Sequence, residues 1–277
     1  MQESFRNDKK TLYLVSTPIG NLKDITYRAV EVLSNVEVIF AEDTRTSMRL
    51  LSHYNIKTKM KSYHEHNKLE KENDVLWYLE NGFDVALISD AGTPGISDPG
   101  FEIANKVIEK GFNVSSIPGA TASMTALVSS GLKMQPNLFL GFLPRKESEI
   151  TLFLNKYLTV DATLIFYESP FRIDKTINYL FEILGDRRVV IARELTKIYE
   201  TFIRTTLKEA IKIEFINKGE YVILVEGFIQ EESNLSVIDL FVKYQKLGLD
   251  DMTNMKLIAK ELGISKREVY DKIKTNK

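Results

Sequence analysis

The chain has 277 residues, 44% of them hydrophobic, which is enough for one large domain or two smaller ones with sizeable cores. Its formal net charge of −1 excludes a generally basic nucleic-acid coat protein and an acidic tail protein, although it leaves room for a local basic patch. The chain contains no cysteine, which excludes disulfides, thiolate catalysis and cysteine-ligated zinc or iron–sulfur sites.

The N-terminal segment has no targeting signal. Residues 1–10 are polar and charged and lack the apolar core of a signal peptide. No apolar run in the chain approaches the roughly 18 residues that a membrane span needs. We therefore expect a soluble, cytoplasmic protein with no membrane partner.

The first half of the chain alternates short apolar, β-branched runs with longer segments of helical pattern. The runs predict strands at 12–16, 36–41, 85–89 and 114–117. The segments between them predict helices at 26–33, 46–54, 69–79, 101–110 and 121–130. This alternation is typical of an α/β domain with a mostly parallel sheet, which we place at residues 11–131.

A helix-breaking stretch at 131–137 precedes a second alternating block, placed at residues 137–230. This block predicts strands at 138–142, 163–167, 189–192 and 221–226, and helices at 147–158, 171–184 and 207–215. Weak alternation over 199–206 favours an added antiparallel strand pair. Residues 235–277 lack a strand signal and predict a small extension of two or three helices.

Glycine and proline concentrate in three loops that directly follow predicted strands, at 17–21, 90–100 and 118–123. In an open α/β sheet, ligands bind outside the carboxyl ends of the strands, so these loops favour a binding site over ordinary turns. None of them has a dinucleotide-binding or P-loop motif. We therefore expect a ligand held by backbone groups and small side chains.

The second predicted strand is followed by the charged residues Glu42, Asp43 and Arg45. Charges at this edge of a sheet either handle protons or hold a polar substrate. The simpler alternative is that Asp43 or Thr44 caps the helix that follows. Both hold if Asp43 is the cap while Glu42 and Arg45 point into the cleft.

Seven segments, taken together and in order, resemble the tetrapyrrole methylase superfamily. They are Ser-Thr-Pro-Ile-Gly-Asn-Leu at 16–22, Ala-Glu-Asp-Thr-Arg at 41–45, the loop at 89–100, Pro-Gly-Ala at 118–120, Gly-Phe-Leu-Pro-Arg at 141–145, Phe-Tyr-Glu-Ser-Pro-Phe-Arg at 166–172 and Ala-Arg-Glu-Leu-Thr-Lys at 192–197. The first loop lacks the glycine-rich Gly-x-Gly-Pro-Gly-Asp pattern of the corrinoid and porphyrin enzymes. That departure favours the branch that modifies ribosomal RNA, with a tetrapyrrole methyltransferase as the alternative.

The resemblance implies two α/β domains with S-adenosylmethionine bound in the cleft between them. It implies methylation of the ribose 2′-hydroxyl of a cytidine in the decoding centre of 16S rRNA, by a homodimer. The cofactor-binding residues that it suggests are Pro18, Asp90, Ala91, Gly92, Thr93, Ile96, Ser97, Thr121, Ala122, Phe142, Tyr167 and Ala192.

The catalytic base stays open at this level. Glu42 and Asp43 are candidates, as are Glu168 and Glu194, and the candidate cations are Arg45, Arg193 and Lys197. His64, after a short predicted strand, is either a base or a substrate contact. His64 and His66 lack a third metal ligand, so we expect no metal.

Arginines and lysines at the cleft and in the tail are candidate RNA contacts. Arg45, Arg145 and Arg172 each follow a cleft motif, and a guanidinium suits phosphate. In the tail, Ala259, Gly263 and Val269 have helix-turn-helix spacing, and Ser265 can cap the second helix. Seven basic and three acidic residues follow position 255, so Lys266 and Arg267 are further candidates, with a structural cap or dimer contact as the alternative.

Overall fold

A computed structural model describes residues 2–3, 6–64, 68–97, 100–229, 236–246 and 250–275. The chain divides into two compact units, Met1–Gly227 and Phe228–Lys277. The first unit contains two five-stranded sheets with their helices. Among the described residues, no helix has the length and apolar character to cross a membrane. The domain boundaries at 131, 137 and 230 stay predictions.

The first sheet is entirely parallel, as its pattern predicted, with the strand order β3-β2-β4-β1-β5. Its strands are β1 (Thr11–Val15), β2 (Val38–Ala41), β3 (Lys59–Ser62), β4 (Val85–Ile88) and β5 (Asn113–Ile117). The inner strands β2 and β4 are buried along their whole length because helices cover both faces of the sheet. Those helices are α1 (Tyr27–Asn35), α2 (Thr44–His53), α3 (Lys68–Glu80) and α4 (Gly100–Glu109).

The second sheet is mixed, with the strand order β6-β7-β10-β8-β9. Its strands are β6 (Asn137–Phe142), β7 (Thr163–Glu168), β8 (Arg188–Arg193), β9 (Thr201–Thr206) and β10 (Tyr221–Val225). Strand β10 is antiparallel to both of its neighbours, so it starts at the edge where β7 and β8 end. The helices of this half are α6 (Glu147–Asn155), α7 (Ile173–Leu184) and α8 (Leu207–Ala210).

Helix α5 (Ala122–Ser130) follows the first sheet but packs against the second. Its buried residues Ala126 and Leu127 share a core with Ile165, Val190 and Leu224. Gly131 ends the helix in the left-handed conformation, with φ 80°, as is common for a glycine at the end of a helix. The start of α5 therefore lies between the two sheets.

Two expectations for the second half need correction. The pattern at 207–215 predicted a helix of that length, but α8 ends at Ala210. The chain turns there because Phe215 must reach the core, where its ring packs edge-on against Tyr221 at 6.1 Å. The segment at 199–206 supplies one strand, β9, whose antiparallel partner is β8.

The C-terminal unit contains α9 (Val237–Lys246), α10 (Asp251–Glu261) and α11 (Lys266–Thr275). Val237, Leu240, Ile258 and Val269 form its buried core. Gly263 makes the turn between α10 and α11 with φ 64°. Ser265 caps α11 as predicted: its Oγ accepts from the Glu268 amide at 3.2 Å, and Glu268 accepts from the Ser265 amide at 2.7 Å.

Phe166 is fully buried in the core of the second sheet. We expect Phe166→Ala to lower the free energy of unfolding by about 3–5 kcal/mol, because it removes a large apolar side chain and leaves a cavity. Urea denaturation followed by circular dichroism measures this change. Phe171→Ala, at a highly exposed ring of the same half, is the control and should leave the midpoint unchanged.

Candidate active site

A cavity of about 420 Å³ lies in the first unit, where the carboxyl ends of the first sheet face the second sheet. That volume is in the range that holds one small ligand. The first sheet and the start of α5 contribute Ile19, Glu42, Ser89, Asp90, Ala91, Gly92, Thr93, Ile96, Ser97, Thr121 and Ala122. The second sheet contributes Phe142, Tyr167, Glu168, Ser169, Pro170, Leu195, Gly219, Glu220, Tyr221 and Val222.

The loops after β1 and β4 are joined by a pair of backbone hydrogen bonds. The Thr17 amide donates to the Gly92 carbonyl at 2.9 Å, and the Gly92 amide donates to the Thr17 carbonyl at 3.1 Å. Gly92 has φ 81°, and a side chain there would come within 3.3 Å of Ile19 Cγ2. The bridge therefore requires glycine at position 92.

Hydroxyl groups fasten the next loop to this bridge. Thr93 Oγ1 lies 2.8 Å from Ser16 Oγ and 3.1 Å from Thr121 Oγ1, and it donates to the Ala120 carbonyl at 3.3 Å. Thr93 and Thr121 lie in two of the three loops that the glycine and proline pattern singled out, and Ser16 directly precedes the third. One small polar cluster thus holds all three loops at the cavity.

Aromatic rings form the wall on the side of the second sheet. The rings of Phe142 and Tyr167 are 5.8 Å apart, and those of Phe139 and Tyr167 are 4.7 Å apart, both edge-on. The Tyr167 hydroxyl accepts from the Ser123 amide in the first turn of α5 at 3.1 Å. Tyr167 therefore links the two halves of the cavity wall.

The cavity is acidic. Its described lining includes the carboxylates of Glu42, Asp90, Glu168 and Glu220 but no lysine, arginine or histidine. Such a lining attracts a cation and repels phosphate. Together with the apolar side chains of Ile19, Ile96 and Leu195, it fits S-adenosylmethionine, which has a sulfonium and an amino group but no phosphate.

Asp43 and Arg45 pair with each other instead of lining the cavity. Asp43 caps α2, one of the two caps predicted for this helix. Its carboxylate accepts from the Arg45 amide at 2.8 Å. The Arg45 guanidinium donates to the same carboxylate at 2.8 Å and 3.1 Å. Hydrogen bonding from Arg45 lowers the pKa of Asp43 to about 2. Asp43 is therefore a poor proton acceptor at neutral pH.

Arg172, a predicted RNA contact, is engaged within the protein. Its guanidinium Nη2 donates to the carbonyls of Leu143 at 3.0 Å and Pro144 at 2.9 Å, and its Nε lies 3.6 Å from the Glu168 carboxylate. It ties the loop after β6 to the loop after β7. In the structure it positions both loops, and its contact with RNA stays a prediction.

Glu194, Lys197 and Glu220 form an ionic cluster beside the cavity. The Lys197 ammonium lies 2.8 Å from Glu194 and 3.0 Å from Glu220. Burial disfavours the charged forms of Glu194 and Lys197, but their mutual hydrogen bond has the larger effect. The pKa of Glu194 is therefore lowered and the pKa of Lys197 is raised. The Asn21 amide donates to Thr196 Oγ1 at 3.0 Å, which joins this segment to the loop after β1.

The structure brings together every predicted cofactor residue except Pro18 and Ala192. Pro18 is buried within the loop after β1 and is absent from the lining. Ala192 is fully buried in β8, paired with Val222 on one side and Phe202 on the other, so its backbone groups belong to the sheet. Leu195, three residues further on, lines the cavity in its place.

The remaining candidates are not among the described lining residues. Arg145 is exposed just beyond the end of β6. Lys266 and Arg267 are exposed in the first turn of α11, in the C-terminal unit. His64 is half-buried after β3, and His66 lies outside the described residues.

Sequence reasoning missed the segment Gly219 to Val222, which lines the cavity at the start of β10. The rule applied to the sequence considers only loops that follow strands. This segment precedes its strand, and it reaches the same edge because β10 runs opposite to β7 and β8. The only signal was Gly219, two residues before a strongly apolar run, and a glycine there by itself indicates a turn.

Known proteins resemble this chain along most of its length. The family model of the Tetrapyrrole (Corrin/Porphyrin) Methylases matches residues 11–211. A relative from Halalkalibacterium halodurans, named Ribosomal RNA small subunit methyltransferase I, is 44% identical and aligns over 98% of this chain and 97% of its own length. A relative of the same name from Bacillus subtilis is 42% identical, over 96% and 94%. The crystal structure of a diphthine synthase covers 79% of this chain and 90% of that one, with a TM-score of 0.63 and 12% identity, so it shows the fold alone.

We expect Gly92→Val to weaken S-adenosylmethionine binding by at least about tenfold, or ~1.4 kcal/mol, because the new side chain breaks the Thr17–Gly92 bridge. Isothermal titration calorimetry measures the affinity. Gly82→Val is the matched control: Gly82 has φ 85° but open space around it and lies before β4, at the opposite edge of the sheet. Equal affinities for the two variants would contradict a cofactor site at this loop.

Proposed function

This chain belongs to the tetrapyrrole methylase family, and on that premise we propose that it methylates the RNA of the small ribosomal subunit with S-adenosylmethionine as methyl donor. Membership of the family makes the chain a methyltransferase. The observation that carries the proposal is the cavity at the meeting edge of the two sheets, whose described lining contains four carboxylates and no basic side chain.

The finer assignment is the ribose 2′-hydroxyl of a cytidine in the decoding centre of 16S rRNA, modified in the cytoplasm by a homodimer. Two features support an RNA acceptor over a tetrapyrrole. The first loop is Ser-Thr-Pro-Ile-Gly-Asn in place of the glycine-rich form, and relatives that align over nearly the whole chain are named for ribosomal RNA.

Different residues of the cavity contact different parts of the cofactor in this proposal. When bound, S-adenosylmethionine supplies an electrophilic methyl group on a positively charged sulfur. Backbone groups of Asp90 to Ser97 would hold its polar end, and the start of α5 with Phe142 and Tyr167 would contact its adenine. The apolar side chains of Ile19 and Leu195 keep water from the reacting centre.

Glu42 is the carboxylate that we assign to accept the proton of the acceptor hydroxyl. It lines the cavity directly after β2, beside Asp90, whose amide donates to Glu42 Oε2 at 3.4 Å. Asp43, the neighbouring candidate, has a pKa of about 2 because of Arg45, which makes it too weak a base.

The other candidate carboxylates are committed elsewhere. Glu168 is buried and accepts from the Ser169 amide at 2.8 Å and the Thr176 hydroxyl at 2.6 Å. Glu194 is held by Lys197. Both therefore stabilise the walls of the cavity.

The direct test is methyl transfer to small ribosomal subunits purified from cells that lack the gene for this protein. We expect label from S-adenosylmethionine to enter 16S rRNA and to appear as 2′-O-methylcytidine when the nucleosides are separated by mass spectrometry. Glu42→Gln should lower kcat with little change in cofactor affinity, because it keeps the shape but not the base. Transfer to a tetrapyrrole with none to the subunit would contradict the proposal.

Arg45 is a candidate phosphate contact because its side chain is 90% exposed and it lies three residues beyond the lining residue Glu42. We expect Arg45→Ala to raise the KM for the small subunit by about ten- to hundredfold, the cost of a hydrogen bond to a charged group. The log–log dependence of KM on salt should become shallower by about 0.7–0.9, as for one lost phosphate contact. Cofactor affinity should stay the same.

The control for Arg45 is Lys133→Ala. Lys133 also forms an exposed ion pair, 2.9 Å from Asp161, but at the opposite edge of the second sheet. It should leave both the KM and the salt dependence unchanged. If Arg45→Ala instead weakened cofactor binding, Arg45 would belong to the cofactor site.

A further inference from the structure

We propose that Phe171 is the platform on which the base of the target nucleotide stacks when its ribose enters the cavity, an inference that rests on the proposed function. The ring is 81% exposed, whereas folding usually buries a large apolar side chain. It directly follows Ser169 and Pro170, which line the cavity.

The turn that presents the ring is fixed from both sides. The Arg172 amide donates to the Ser169 carbonyl at 3.1 Å, which closes the turn with Phe171 near its tip. The Ser169 amide donates to the buried Glu168 carboxylate at 2.8 Å, and the Arg172 guanidinium donates to the carbonyls of Leu143 and Pro144. An exposed ring on a rigid turn can bind a flat partner without paying to order the loop.

A second exposed ring belongs to the cavity lining itself. Phe142 lines the cavity and is 52% exposed. An irregularity in the pairing of β6 with β7, next to Gly141 at φ 66°, sets its direction. Irregularities of this kind often re-aim a side chain beside an active site.

The chemistry of the cavity requires such a neutral platform. The volume of about 420 Å³ suits one small ligand, so the acceptor nucleotide must bind at the mouth. The carboxylates of the lining repel phosphate, so the phosphates of the RNA must stay outside the cavity, near cations such as Arg45, and an apolar ring can hold the base at the mouth. Stacking on an aromatic ring serves any base and is a common way to hold an unstacked nucleotide of RNA.

The experiment measures methyl transfer to small ribosomal subunits by the full chain with Phe171→Ala, Phe171→Leu and Phe171→Tyr. We expect Ala and Leu to raise the KM on the order of ten- to hundredfold, the usual loss for one stacked base, while Tyr stays near wild type. Cofactor affinity and the melting temperature should not change, because the ring is exposed. Trp77→Ala, at another exposed ring near the amino edge of the first sheet, is the control.

Three outcomes would overturn the assignment: an unchanged KM in Phe171→Ala, a Leu variant as good as the Tyr variant, or a change of oligomeric state in Phe171→Ala on size-exclusion chromatography. The second would mean that the site needs only apolar bulk, and the third that the ring contacts another copy of the chain. A wild-type enzyme without transfer to the subunit would instead contradict the proposed function, and this inference with it.

Discussion

The two hydrogen bonds between the backbones of Thr17 and Gly92 are the constraint on which the rest of the cavity depends. They cross from the loop after β1 to the loop after β4, so they fix two strand ends at once. The left-handed φ of Gly92 turns the chain so that Thr93 reaches both Ser16 and Thr121. A substitution that moved this bridge would displace three loops together, because the hydroxyl cluster couples each loop to the other two.

The reversed direction of β10 has a comparable effect on the opposite wall. In a purely parallel sheet the start of this strand would lie at the far edge, and Glu220 could not reach the cavity. Here Gly219 packs so closely on Glu194 that a side chain would come within 2.6 Å of its carboxylate. The missing side chain lets Glu194 accept both from Lys197 and from the Glu220 amide. One antiparallel strand thus supplies part of the lining and a charge cluster that supports it.

The sequence was sufficient for the features that are local along the chain. Strand and helix patterns and the three loops after strands depend on nearby residues, and the structure brings those loops to one cavity. Ala192 and Arg172 depended on distant partners instead: Ala192 is hydrogen-bonded between β9 and β10, and Arg172 is bound by carbonyls about 28 residues away. The direction of β10 also depends on its pairing with β7 and β8, which the hydrophobic pattern of the sequence does not show. The assigned roles of the site residues remain predictions, since they concern ligands.

The distribution of charge explains how one site can serve two ligands of opposite sign. Carboxylates line the cavity, while cations such as Arg45 and Arg145 lie outside its lining. A sulfonium is attracted inward, and a polyanion is held at the surface, where water screens repulsion from the carboxylates. An RNA substrate can then present only a neutral part, the ribose and its base, to the interior. The same carboxylates that favour the cofactor therefore restrict the substrate to one nucleoside turned out of its strand, and this is the geometry in which an exposed aromatic ring at the mouth is most useful.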